Sequence, residues 1–474
     1  MLNGKVYVLN SPHLVQAAFK SKSLSFAPLV NEYVSRMDEL SPMARRIYAE
    51  DGMHERMMLL FQTRMTGSSL KEMNAVAMEE VSSIFQEPSQ PQGTSVLDVE
   101  NLWVWMRNIM TTVTTSTLLG RRNNPWKKDP SLIDSYWAWE SGDISRRTPL
   151  AAIKDRQSHQ GRIAIQKALT GYFATEDFSK KSATNVSNMA SDTAAMQKQY
   201  DFGSSDLGAA FTQVIHASVM NVVPTTFWVL VHIFSRPKLL AVLRQEVLSA
   251  IRDDKFDDST GTRYVSIDLD RPEALFPRLM SAFQEAHRLA TAATLHRRVV
   301  EDTYLSEGNG TGTRPYLLKK GITVMIPTTV SLRSPQVWGG QAAADEFDAE
   351  RFLAQTSKKK QESRNGDAGD LPSTEATSNI RKKAYFPFGG GKELCPGRNF
   401  AKAEVMGTLC VLLSGFDIVS ADGGTLTLPQ AAKPRLTTGT MRPDPTAKLG
   451  SRISRRAGWE KVVWSAAPVP NTTL

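Results

Sequence analysis

Cysteine is scarce in this sequence, whose 474 residues include only Cys395 and Cys410. Two cysteines near the end of a long chain do not supply the disulfide framework of a small secreted protein. A zinc site would need further cysteine or histidine close by, and none surrounds Cys395. Cys410 lies within an apolar run, 409–413, and is interpreted as a packing residue.

Signals for secretion, membrane spanning and nucleic-acid binding are also missing. The first residues lead directly into a short apolar strand, 6–9, so we expect neither a signal peptide nor an anchor helix at this end. The longest apolar stretch, 207–235, is interrupted by polar residues and by Pro224, which favours a long buried helix over a membrane span. The net charge is +9, but the basic residues form no arginine-rich or aromatic-interleaved patch. This charge therefore suits an acidic redox partner or an anionic membrane surface rather than nucleic acid.

The composition is that of an ordinary globular protein, with 41% hydrophobic and 22% charged residues. The spacing of apolar residues along the sequence is mainly helical, with a few short strand patterns. This predicts a mainly α fold with small β-sheets. The helices are expected within 40–85, 97–119, 132–175, 207–235 and 277–293, and strands at 298–302 and 316–324. Two polar segments, 182–205 and 355–378, are predicted to be mobile loops.

The richest local pattern is the stretch 384–398, which contains three consecutive glycines and then Cys395. Glycines 389–391 allow the backbone to turn freely and to approach a large group closely. Pro396 follows the cysteine and is favoured in the first turn of a helix, here expected over 399–413. A thiol at a helix N-terminus is biased toward the thiolate, because unpaired N–H groups and the helix dipole favour an anion.

Several chemistries could use such a thiolate. A nucleophilic cysteine needs a base, and no histidine follows His296, although a base from earlier in the chain stays possible. A phosphate-binding loop would need glycine at 386 and serine or threonine at 393, where Phe386 and Glu393 stand. A single axial bond to haem iron is the option that needs no further ligand.

The spacing Phe388-x-x-Gly391-x-x-x-Cys395-x-Gly397 resembles the haem-binding loop of the cytochrome P-450 family. The resemblance implies haem b bound through Cys395, with Phe388, Gly389 and Gly391 shaping the loop, in a single domain spanning 1–474. The family usually has arginine or histidine two residues before the cysteine to reach a haem propionate. Glu393 stands there, and Lys392 beside it is the substitute we expect.

Two further arginines are candidates for the propionates by the same resemblance. Trp103-x-x-x-Arg107 has the spacing of the family's third helix, which places a tryptophan and an arginine at the propionates. Arg298 begins a strand region in which the family's arginine commonly meets a propionate. A guanidinium can bind a carboxylate through two hydrogen bonds, so both are suited to this role.

A structural triad is also implied. Glu285 and Arg288 lie three residues apart and share one helix face. The family pairs this motif with an arginine downstream, which matches Arg351 in the segment 347–352. We therefore predict a buried cluster of one carboxylate between two guanidinium groups behind the cysteine loop.

This sequence departs from the usual pattern of the resembled family's central helix. The segment 217–221 occupies the place of the Ala-Gly-x-acid-Thr motif, with Met220 replacing the acid and Asn221 the threonine. This resembles the branch that contains cholesterol 7-alpha-hydroxylase, prostacyclin synthase and many fungal enzymes of secondary metabolism. Asn221 and Ser218 are accordingly the candidate catalytic residues on the oxygen-binding side.

The resemblance implies a monooxygenase that oxidises a lipophilic small molecule, such as a secondary-metabolite, terpenoid or sterol-like intermediate. Electrons would come from NADPH-cytochrome P-450 reductase, and the location would be the endoplasmic reticulum membrane surface. Two alternatives use the same haem site: an isomerase or dehydratase that needs no O₂, and a non-catalytic haem-binding protein.

Overall fold

The computed structural model describes residues 4–34, 37, 39–50, 52–86, 96–142, 155–175, 186–307, 315–353, 374–435 and 438–466. Helices predominate in these residues, as the periodicity predicts. They are α1 Pro12–Lys20, α2 Ala27–Val34, α3 Pro42–Glu50, α4 Met53–Arg64, α5 Gly67–Gln86, α6 Leu102–Leu119, α7 Pro125–Lys128, α8 Ser131–Ser141, α9 Arg156–Thr175, α10 Asn188–Lys198, α11 Ser204–Val219, α12 Val222–Phe234, α13 Pro237–Ala250, α14 Pro272–Leu275, α15 Pro277–Ala290, α16 Thr328–Leu332, α17 Pro335–Trp338, α18 Gln341–Asp345, α19 Thr374–Ala384 and α20 Arg398–Gly415.

The strands are short, and all belong to small sheets. They are β1 Val6–Val8, β2 Leu24–Ser25, β3 Val96–Val99, β4 Arg252–Asp257, β5 Thr262–Ile267, β6 Thr294–Val299, β7 Thr303–Leu305, β8 Tyr316–Leu318, β9 Thr323–Pro327, β10 Phe416–Ser420, β11 Ser451–Arg455 and β12 Val462–Ala466.

The first of two compact units is built around a small mixed sheet and contains Met1–Leu29, Pro277–Cys395 and Pro434–Met441. Its four-stranded sheet has the order β1-β9-β6-β2, in which β1 runs parallel to β9 and the other pairs are antiparallel. One face of the sheet packs with α1 and Phe386 into an apolar core. The segment just before Cys395 is therefore tied to the core of this unit.

The second unit is mostly helical and contains Val30–Phe276, Pro396–Lys433 and Arg442–Leu474. Its two three-stranded sheets have the orders β10-β11-β3 and β12-β5-β4. Because both units are made of separated stretches, the chain does not divide into consecutive domains.

Helix α6 begins later than the apolar pattern suggests. Residues 96–99 pair with β11 as a strand, and Asn101 then caps the helix by accepting hydrogen bonds from the N–H groups of Trp103 (3.0 Å) and Val104 (3.2 Å). An asparagine at this position satisfies donors that the first helical turn leaves open.

The prediction of a mobile loop over 182–205 is wrong for much of its length. Residues 176–185 lie outside the described residues, but Asn188–Lys198 form α10 and α11 begins at Ser204. The side-chain oxygen of Ser187 caps α10, and Met189, Ala194 and Gln197 are buried. Burial of one face stabilises a helix whose composition alone looks loop-like.

The other predicted loop, 355–378, lies mostly outside the described residues. From residue 374 onward the chain is described, and there it forms α19, Thr374–Ala384. The part of this segment that the structure describes is therefore helical.

The long apolar helix is interrupted at Met220 and Asn221, which separate α11 from α12. Within the described residues, the stretch Ser204–Phe234 is the one that is long and apolar enough to cross a membrane, and 72% of its most apolar window is buried. Such burial is typical of a core helix, as the sequence predicts.

Candidate functional site

The loop that carries Cys395 is held by hydrogen bonds within its own backbone. The N–H of Gly389 donates to the carbonyl oxygen of Phe386 (2.9 Å), and the N–H of Cys395 donates to that of Phe388 (3.0 Å). Gly389 and Gly391 have φ angles of +75° and +67°, which side-chain-bearing residues rarely adopt. Cys395 in this loop is a partly exposed residue and forms no disulfide.

The glycines also permit close contact with α1. A Cβ atom on Gly390 would overlap the Phe19 ring, and one on Gly391 would overlap the Phe19 carbonyl oxygen. Phe19 in turn packs edge-on against Phe386, with ring centroids 5.5 Å apart. The C-terminal end of α1 therefore supports the loop from one side, a contact that the sequence did not signal.

Phe388 connects the loop to α15. Its ring lies 4.9 Å from that of His287 at an interplanar angle of 69°, while its carbonyl oxygen accepts from the N–H of Cys395. His287 is 4% exposed and lies between the two triad residues of α15, Glu285 and Arg288. Sequence reasoning missed this histidine, because a buried ring next to an ion-pair motif has no local signature.

Strand β6 places its two central arginines on opposite faces. Side chains alternate along a strand, and Leu295 and Val299 belong to the core face. Arg297 lies on that same face, and its Nη2 approaches the carbonyl oxygen of Gly390 (3.4 Å). Arg298, the arginine singled out from the sequence, lies on the opposite face and donates to the carbonyl oxygen of Gly321 (2.8 Å).

Arg297 is a buried cation that forms no ion pair among the described residues. It is 6% exposed and donates to the carbonyl oxygen of His296 (2.8 Å). Burial lowers the pKa of Arg297, and the negative charge of Glu393 partly opposes this change. Because an unpaired buried charge is unfavourable, a ligand carboxylate at this point would stabilise the loop region.

The two charged residues before the cysteine differ in exposure. Lys392 is exposed, and Glu393 is partly buried within the 3₁₀ turn Gly391–Glu393. In the part of the chain that the structure describes, Lys392 forms no ion pair. Its ammonium group is thus accessible to solvent or to another protein.

Glu285, Arg288 and Arg351 are brought together. The Glu285 carboxylate accepts two hydrogen bonds from Arg288 (both 2.8 Å) and one from Nε of Arg351 (2.9 Å), and the N–H of Asp348 adds a fourth (3.2 Å). The Glu285 and Arg288 side chains are completely buried, and that of Arg351 is 7% exposed. The Arg288 guanidinium also lies over the ring of Trp338.

The remaining donors of both arginines bind backbone carbonyl groups. Arg288 reaches those of Leu332 and Ala344 (both 2.7 Å), and Arg351 reaches that of Ala343 (2.8 Å). The cluster consequently fixes the chain between β9 and α18 against α15. This satisfies the condition under which buried ions are tolerated.

In the second unit, Arg107 of α6 is occupied by neighbouring side chains. It forms an ion pair with Asp134 (2.5 Å) and donates to Oδ1 of Asn108. Trp103 packs edge-on against Trp137 and Phe227, with centroids 5.6 and 5.4 Å away. The structure thus places Trp103 in an aromatic cluster and pairs Arg107 with Asp134.

The α11–α12 break exposes Asn221 on the second unit, while Ser218 is partly buried. The Ser218 hydroxyl donates to the carbonyl oxygen of Val214 within its own helix (2.9 Å). The carbonyl oxygen of Asn221 accepts from the N–H of Thr225 (3.1 Å). Asn221 therefore begins α12 with an amide side chain at an exposed position.

Haem fits the groups that the first unit gathers near the cysteine loop. A partly exposed thiol is a suitable single ligand for haem iron, and the loop around it is too closely packed to hold side chains at Gly390 and Gly391. The uncompensated Arg297 guanidinium suits one of the propionates of such a cofactor. Trp103, Arg107, Ser218 and Asn221 belong to the second unit.

Comparisons with known proteins identify the family of this chain. The family model described as Cytochrome P450 matches residues 1–448. A cytochrome P450 monooxygenase of Gibberella zeae is 30% identical over 98% of this chain and 83% of its own length. Cytochrome P450 monooxygenase nodJ of Hypoxylon pulicicidum is 29% identical over 74% of this chain and 62% of its own length.

A mammalian protein is similar over a shorter region. The 25-hydroxycholesterol 7-alpha-hydroxylase of Rattus norvegicus is 28% identical over 52% of this chain and 54% of its own length. Similarity to fungal monooxygenases and to a sterol hydroxylase agrees with the branch that the segment 217–221 resembles.

Proposed function

This chain is a member of the cytochrome P450 family, and we propose that the thiolate of Cys395 would hold its haem iron. The enzyme is a haem-thiolate monooxygenase that acts on a lipophilic small molecule. Bound haem supplies the activation of O₂, to which a thiolate ligand contributes electron density that favours O–O cleavage. One oxygen atom enters the substrate and the other leaves as water, so the reaction consumes two electrons and two protons.

The observation that supports Cys395 is the construction of its loop. Its amide is bound to Phe388, its glycines are packed against Phe19, and its thiol stays partly exposed. The other cysteine, Cys410, is completely buried inside α20, and burial raises the pKa of its thiol. Cys395 is accordingly the thiol that can reach a ligand.

We assign a haem propionate to Arg297 rather than to Arg298. The side chain of Arg297 lies beside the carbonyl of Gly390 and has no counter-ion among the described residues, whereas that of Arg298 points to Gly321. Arg107, already paired with Asp134, and the exposed Lys392 remain further candidates for propionate contacts.

P450 monooxygenases use redox partner proteins, and we propose NADPH-cytochrome P450 reductase as the partner here. Lys382, Lys383 and Lys392 are exposed on the first unit, close in sequence to the proposed ligand. A surface of this kind attracts an acidic electron donor. We place the enzyme at the surface of the endoplasmic reticulum membrane, where such a reductase would meet it.

The substrate proposed is a terpenoid, sterol or other secondary metabolite of similar size. This follows from the relatives, among which are fungal monooxygenases and a 25-hydroxycholesterol 7-alpha-hydroxylase. Binding of such a compound would be recorded as a shift of the Soret band of the purified, haem-loaded enzyme.

The assignment of Cys395 is tested by the carbon monoxide complex of the reduced protein. We expect the red-shifted Soret band of a thiolate complex in the native enzyme and in the control Cys410→Ala. Cys395→Ser should lose that band. A native spectrum typical of histidine ligation would contradict the proposal.

A second candidate function, isomerisation without O₂, has one observation in its favour. Met220 and Asn221 supply no acid at the α11–α12 break, where oxygenases of the family usually have one. Undiminished conversion of substrate under nitrogen and without NADPH would establish the isomerase. A strict requirement for O₂ and for NADPH would exclude it.

A further inference from the structure

His287 is a buried polar side chain that the proposed mechanism does not use. It is 4% exposed, its ring contacts Phe283 and Phe388, and its Nδ1 atom has no hydrogen-bond partner among the described residues. Buried polar atoms are nearly always hydrogen-bonded, because leaving one unsatisfied is unfavourable. An apolar side chain would fill the same space without this cost.

The ring of Phe388 offers His287 an acceptor that is neither nitrogen nor oxygen. The two rings stand at 69° with centroids 4.9 Å apart, an edge-to-face arrangement. An imidazole N–H that is directed at the face of a phenyl ring can donate to it. Burial lowers the pKa of His287 to about 4, so the ring is neutral near pH 7 and carries one N–H.

Phe388 transmits this contact to the cysteine. Its carbonyl oxygen accepts from the N–H of Cys395, so its position influences where the sulfur lies. We propose that His287 is a positioning residue for the thiolate: its N–H holds the Phe388 ring, which fixes the Phe388–Cys395 hydrogen bond and keeps the sulfur aligned for donation to iron. The inference rests on Cys395 being the iron ligand.

The decisive variant is His287→Phe, which keeps an aromatic ring but removes the N–H. Poorer alignment weakens donation from sulfur and favours ferrous iron, so we expect the ferrous-to-ferric ratio at a fixed potential to rise about threefold, or about 28 mV for a one-electron couple. Haem content should stay near that of the native enzyme. The CO complex should also convert faster to a form without the thiolate band.

His287→Gln retains N–H donors and should recover most of the native potential. The matched control is His232→Phe, which changes a buried histidine of α12 that packs against Trp228, within the second unit. It should leave the potential and the CO band unchanged. If His287→Phe fails to bind haem, His287→Gln carries the test, and a potential far from the native value in that variant would overturn the proposal.

The route through Phe388 is tested in a Phe388→Leu background, where histidine and phenylalanine at 287 should give the same potential. A shift that persists there, or a His287→Phe enzyme with the native potential and CO band, overturns the inference while leaving Cys395 as the ligand. Absence of the thiolate band in the native enzyme would instead reject the ligand assignment, and the inference with it.

Discussion

At the scale of single residues, the most informative feature is the buried charge of Arg297, which forms no ion pair among the described residues. Arg297 and Arg298 are adjacent, yet one is buried beside the cysteine loop and the other bonds to Gly321 on the opposite face of β6. Glu393 occupies the position where the family usually has a basic residue. We therefore propose that Arg297, on the neighbouring strand β6, supplies the positive charge in place of a residue of the loop.

Arg297→Ala should reduce haem retention strongly, and Arg298→Ala should do so weakly. A charged hydrogen bond contributes about 1.5–3 kcal/mol, so we expect haem to dissociate from Arg297→Ala roughly tenfold or more faster. Transfer of haem to an excess of apomyoglobin measures the rate.

The haem-free protein provides the control for this prediction. Without a propionate, Arg297 is a buried cation with no ion pair among the described residues, so Arg297→Ala should not lower the melting temperature of the apoprotein. Two results would count against the assignment. One is equal haem loss from Arg297→Ala and Arg298→Ala, and the other is an Arg297→Ala substitution that destabilises the haem-free protein as much as the haem-loaded protein.

Asn221→Ala should uncouple the enzyme. Neither Met220 nor Asn221 is an acid or base for proton transfer, so an ordered water held by the amide is the expected route for protons. NADPH would still be consumed, but a larger share of the electrons would appear as hydrogen peroxide than as product. The ratio of peroxide to NADPH measures this, and Ser218→Ala, whose hydroxyl is engaged with Val214, should change it less.

At the scale of elements, the triad joins α15 to the chain that follows β9. One carboxylate receives three hydrogen bonds from two guanidinium groups, and both arginines continue to backbone carbonyl groups. An ion cluster of this kind holds separate segments in one arrangement, although its net contribution to stability is small. Its value here is that it fixes the region next to the cysteine loop.

Glu285→Ala should yield mostly haem-free or insoluble protein. Removing one partner from a buried ion pair costs about 3–5 kcal/mol, because the remaining charges stay buried. The matched control is Glu350→Ala, which breaks the exposed pair with Arg278 and should cost no more than about 1 kcal/mol. Haem content and thermal unfolding compare the two, and a native-like Glu285→Ala protein would disprove the structural role.

At the scale of the whole molecule, the net charge of +9 is the property that acts on other proteins over the longest distance. It is spread over many exposed lysine and arginine side chains, of which Lys382, Lys383 and Lys392 lie near Cys395 in sequence. Long-range attraction of this type affects the rate of encounter more than the affinity of the final complex.

Reduction by the reductase should therefore slow as salt is added. The Debye length falls from about 10 Å at 0.1 M salt to about 3 Å at 1 M, which screens the attraction. Reduction by dithionite and the CO band should change little. Stopped-flow measurements compare the rate of reduction of the native enzyme with that of Lys392→Glu. The control is the exposed Lys167→Glu, which changes the net charge equally but lies outside the proposed docking surface. A salt-independent rate would argue against an electrostatic partner surface.

The family, the mainly helical class, the cysteine loop and the members of the triad can all be predicted from the sequence. These depend on residues at fixed short spacings, or on helical periodicity, which local chemistry dictates. That Arg297 faces the core could not be predicted in this way, because the face of a short strand is set by its register with β9 and β2. Phe19, His287 and the buried face of α10 were likewise invisible, since each acquires its role from contacts with residues distant in the chain.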